Sequence, residues 1–190
     1  MRLVPFFSLA IGLFFVVIGW RRRARFGSKP YHHWFIFLHL AAVGQHQFEE
    51  YGWPGGFASF FIAMFGLDAA SPLVPSVAAL ELLNAFVLTS MFGLLGWLGT
   101  RFVWVGLAVL FINFANGLFH LIYSVTHWVY VPGLLTGTFL YLPLALLAAR
   151  HAIRRDDVDG PGLLLSFYLG AAASLLPFLH VRMLQMWLAG

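Results

Sequence analysis

The chain has 190 residues, of which 61% are hydrophobic, 18% aromatic and only 9% charged, and its mean hydropathy is +0.86. A soluble domain carries charged residues nearer a quarter, so composition excludes one and specifies a polytopic membrane protein, a single transmembrane domain over residues 1–190. The formal charge of +4 does not make a nucleic-acid binder, because the basic residues gather at segment ends and form no groove-sized patch; the absence of cysteine excludes disulfides, thiolate metal sites and cysteine nucleophiles.

Six apolar segments, at about 3–20, 33–51, 76–98, 102–124, 132–149 and 161–180, match the roughly 20 residues that cross a bilayer. The fold class is therefore all-α, a bundle of six transmembrane helices. The first segment has the length of a signal peptide, but its basic cluster, Arg21-Arg22-Arg23-Ala24-Arg25, follows the apolar run, and no small-residue cleavage site comes after it. It reads as a retained helix. In the second, His39, His46, Glu49 and Glu50 fall on one helical face. Pro54 and its neighbouring glycines should end that helix. The apolar stretch 57–67 is too short to span and predicts an interfacial or re-entrant helix. The third segment brings Glu81 and Asn84, three apart, and the fourth a stripe of Asn113, Asn116, His120 and His127. Pro132-Gly133 should start the fifth, with Thr136 one turn inward as a pocket-lining hydroxyl.

Nine of the eleven basic residues lie in the 1–2, 3–4 and 5–6 connections. The positive-inside rule then puts those connections in the cytoplasm and both termini outside. Under that topology His46, Glu50, Glu81, Asn116 and His120 all fall in the outer half of the membrane. Polar stripes at that depth must face the bundle interior, because lipid satisfies none of them.

All three glutamates of the chain (Glu49, Glu50 and Glu81) sit in apolar segments, where a carboxylate costs several kcal/mol unless it is paired, protonated or metal-bound. His46, Glu49, Glu50, Glu81 and His120 form a mixed nitrogen and oxygen set suited to Zn²⁺ or Fe, as one ion or a pair, and ill suited to copper(I). Asn84, Asn116, His127 and His39 would support these ligands from behind. The same glutamates, Glu49, Glu50 and Glu81, are the candidate catalytic acid/base groups. Three functions stay open at this point. One is a metal-dependent enzyme acting on a lipid or other hydrophobic small molecule, by hydrolysis or redox chemistry. The second is a metal-free isomerase that moves protons between buried carboxyls. The third is a proton- or ion-coupled transporter or a small-molecule binding protein.

His46-Gln47-Phe48-Glu49-Glu50 followed by Trp53-Pro54-Gly55, then Glu81-x-x-Asn84, Asn116-x-x-x-His120 and Tyr130-x-Pro132-Gly133-x-x-Thr136, resembles the HXXEE-motif membrane proteins, over roughly residues 35–148. The resemblance implies a small integral protein of a bacterial cytoplasmic membrane with a shared polar site, and no particular reaction. A looser likeness in chemistry, without matching spacing, is to the emopamil-binding sterol isomerases.

Overall fold

A computed structural model describes residues 3–26, 32–67, 79, 82, 94–95, 98 and 102–189. The described residues form six helices and no strands: α1 (Val4–Phe26), α2 (His32–Tyr51), α3 (Phe57–Met64), α4 (Val103–His127), α5 (Leu134–Arg154) and α6 (Gly160–Ala189). Three of them, α4, α5 and α6, are long and apolar enough to cross a membrane, and α1 carries a shorter apolar run, Pro5–Ile18. In α2 the polar residues His39, His46, Gln47, Glu49 and Glu50 interrupt the apolar character. The expected span at 76–98 lies outside the described residues apart from Ala79, Leu82, Leu94, Leu95 and Leu98, each of which is helical. An eight-residue helix, α3, occupies the expected short apolar stretch, entered through Gly55 and Gly56 and left through Gly66, all with positive φ.

The described helices pack through small residues, which let two backbones approach closely. A Cβ on Gly44 of α2 would lie 2.5 Å from the Ser8 carbonyl and 2.7 Å from Gly12 of α1. One on Gly117 of α4 would lie 2.7 Å from the Gly137 carbonyl of α5, and one on Gly170 of α6 would lie 2.6 Å from Phe111 Cβ of α4. Each crossing is set by a position without a side chain. The buried face of α4 runs Gly106, Leu110, Asn113, Gly117, His120, Ser124, alternating steps of four and three, which is the seam of a helix enclosed by neighbours. Leu107, Leu110 and Phe111 pack on Ala145, Ala148 and Ala152 of α5, and Leu40, Ala42 and Val43 of α2 join Val109 and Tyr141 in a second cluster.

The start of α5 is not a regular α-helix. Gly137–Tyr141 is a π-helical stretch between a single α turn, Leu134–Thr136, and the longer α segment Leu142–Arg154. Such insertions widen the turn by one residue and are frequent at functional sites.

Candidate metal centre

Glu50 is one helical turn beyond His46 on α2, and the α4 seam delivers His120 to the same point. Glu50 Oε1 lies 3.3 Å from His46 Nε2 and 3.3 Å from His120 Nε2. The three residues offer one ligand atom each, all within 4.8 Å of one another. None is more than 3% exposed, so the three groups are shielded from bulk solvent. Neither of these contacts has hydrogen-bond geometry, and among the described residues His46 Nε2 and both ring nitrogens of His120 have no hydrogen-bond partner. The other Glu50 oxygen, Oε2, accepts at 3.3 Å from the Gln47 amide. Buried polar atoms left unpaired cost about 1–3 kcal/mol each. A cation at the meeting point of two imidazoles and a carboxylate removes that penalty. The donor set is that of zinc hydrolases with two histidines and a glutamate, and equally of the facial triad of non-haem iron.

Glu49 turns the other way, onto the start of α5. Its Oε1 accepts from the Tyr130 hydroxyl at 2.6 Å and the Leu135 N–H at 2.9 Å; its Oε2 accepts from the Thr136 N–H at 2.8 Å and the Thr136 hydroxyl at 2.6 Å. The first turn of any helix has N–H groups without intrahelical partners and the positive end of the helix dipole. Here a carboxylate from another helix satisfies both needs. Burial, and then the hydrogen bond to Glu49, push the Tyr130 phenol above its ordinary range, so it stays a donor. Thr136 Oγ1 also lies 2.7 Å from His46 Nδ1, joining the two halves of the site.

The walls are aromatic. The Tyr141 ring lies 4.5 Å from that of His46, and Phe57 of α3 and Phe119 lie 5.4 and 5.3 Å from that of His120. The π-helical stretch explains how one element reaches His46 twice: at 3.6 residues per turn, positions 136 and 141 stand about 140° apart, and the extra residue brings both round. Gly133, with φ 98°, sits directly over the imidazoles; a Cβ there would lie 2.7 Å from His120 Cε1 and 2.8 Å from His46 Cε1.

The remaining expected residues divide. His39 and Asn113 form a separate buried pair deeper in the bundle, with the Asn113 amide 2.9 Å from His39 Nε2. Asn116 is half-buried, and its Oδ1 has no hydrogen-bond partner among the described residues. His127 is exposed and stacks on Tyr123 at 4.0 Å, apart from the centre. Glu81 and Asn84 lie outside the described residues. Sequence reasoning did not single out Gln47 or Tyr141. Gln47 is visible within the motif, whereas Tyr141 has no such signal, because its place depends on the π turn.

Fold and site together define an all-helical protein with helices able to cross a membrane and a buried centre of two histidines and a glutamate. The family model described as protein of unknown function with HXXEE motif matches residues 34–148, more than half of the chain, and the protein belongs to that family. His46, Glu49 and Glu50 are the residues that spell its motif. No curated protein and no solved structure matches the chain.

Proposed function

We propose that the protein is a membrane-embedded metal-dependent enzyme, in which His46 Nε2, Glu50 and His120 Nε2 hold one divalent ion. One observation carries the reading: three ligand atoms from two helices converge within 4.8 Å in a buried position, with ring nitrogens that no other described residue satisfies. Three protein ligands leave coordination positions open, as catalytic sites do and closed structural sites do not. An ion held this way polarises a carbonyl or phosphoryl oxygen, or lowers the pKa of a bound water toward neutrality. The substrate class is a lipid or another hydrophobic small molecule, which reaches a site walled by Phe57, Phe119 and Tyr141 from the bilayer. The host is a six-span bundle in a bacterial cytoplasmic membrane, with the basic connections inside and both termini outside.

Elemental analysis of detergent-purified protein tests the reading. The expected result is about one zinc or iron per chain, lost in His46→Ala, Glu50→Gln and His120→Ala and kept in His127→Ala. Protein that stays metal-free after incubation with either ion rejects it. That outcome favours the metal-free alternative, in which Glu50 and the two imidazoles 3.3 Å from it serve as acid/base groups and the reaction is an isomerisation by proton transfer.

A further inference from the structure

Two adjacent glutamates end the motif, and the contacts assign them different work. Both Glu49 oxygens accept from backbone N–H groups, of Leu135 and Thr136, which can only donate. Glu49 is therefore an acceptor on both sides. The Thr136 hydroxyl has a single proton, and at 2.6 Å from Glu49 Oε2 it gives that proton to the carboxylate. Only its lone pairs remain for His46 Nδ1, 2.7 Å away, so Nδ1 must carry the hydrogen. The neutral imidazole then has its lone pair on Nε2, the nitrogen that faces Glu50 and has no hydrogen-bond partner among the described residues.

We infer that Glu49 and Thr136 are positioning residues that fix the Nδ1–H tautomer of His46, leaving Nε2 as the atom presented to the centre. The inference deepens the metal reading and rests on it for its purpose, though the tautomer itself requires no ion. The logic is that of ligand histidines generally, whose second nitrogen donates to a fixed acceptor so that the first is basic and correctly aimed. Here the acceptor is a hydroxyl made one-way by the carboxylate behind it, and that carboxylate is in turn held by the first turn of α5 and by Tyr130. The division of labour is specific: Glu50 ligates and Glu49 orients.

Nitrogen-15 NMR of histidine-labelled, metal-free protein in lipid nanodiscs reads the tautomer directly. Wild type should show His46 protonated at Nδ1 and bare at Nε2. Thr136→Ser, which keeps the hydroxyl, should match it. Thr136→Val, which keeps the shape and loses the hydroxyl, should give a mixture or the opposite tautomer, and zinc should bind about 10- to 100-fold more weakly. Wild-type His46 protonated at Nε2 overturns the inference without recourse to a variant, as does a Thr136→Val protein with unchanged His46 signals. Failure of the metal reading is a separate result: zinc then binds neither wild type nor Glu50→Gln, while the His46 tautomer stays as described.

Discussion

A methyl group at position 133 has no room, and the backbone there has a conformation that L residues rarely adopt. At φ 98° the residue occupies the left-handed region, and the new carbon would press on the imidazoles of His46 and His120. Gly133→Ala should keep the helical content, measured by circular dichroism, while zinc affinity, measured by chelator competition, falls tenfold or more; unaltered affinity would mean that the turn does not rest on the histidines. Glu49 has a different expected signature. Replacing it by Gln leaves an amide where four donors converge, so at least one donor at the start of α5 goes unpaired, at about 1–3 kcal/mol. Thermal unfolding in detergent should register that loss, and a variant as stable as wild type would contradict the capping role. The sequence could not separate the two glutamates, because positions three and four after His46 flank it on the same face. What separates them is the start of α5, more than 80 residues along the chain.

Among the described elements, α1 and α2 cross where Gly44 allows a close backbone approach. Gly44 meets backbone atoms of Ser8 and Gly12, which cannot swing aside as a side chain can. Overpacking of this kind costs roughly 1–3 kcal/mol. Gly44→Ala should lower the unfolding midpoint, whereas an alanine at Gly56, which meets nothing within 4 Å, has only its φ of 94° to resist it. A Gly44→Ala protein as stable as wild type would show that the two helices are held elsewhere. Helical periodicity revealed the stripes on α2 and α4, and the meeting of His46, Glu50 and His120 follows from reading both with their depth. The π-helical turn in α5 was not legible, since an inserted residue leaves no compositional mark. Its consequence, Tyr141 against His46, was hidden with it.

For the whole molecule, composition and segment length carried the fold class: an apolar chain with few charges can satisfy its backbone in lipid only as helices or a closed barrel, and apolar runs of about 20 residues fit helices. Segment limits were less legible at the ends, where α1 continues to Phe26 past the arginines and α6 to Ala189, because helices outlast the apolar stretch that identifies them. The missing cysteines make topology simple to test. Single cysteines at Trp128, which is 90% exposed, and at Arg155 should label oppositely in intact cells: a membrane-impermeant maleimide should reach Trp128→Cys and spare Arg155→Cys. Equal labelling of the two would refute the proposed orientation.

X-ray absorption spectroscopy of the zinc-loaded protein bears most directly on the centre. The expected spectrum contains two imidazole nitrogens at about 2.0–2.1 Å together with carboxylate oxygen, a signal that His120→Ala loses with its ion. A spectrum without imidazole scattering, or one that His120→Ala leaves unchanged, would contradict the assignment of His46, Glu50 and His120 as the ligands.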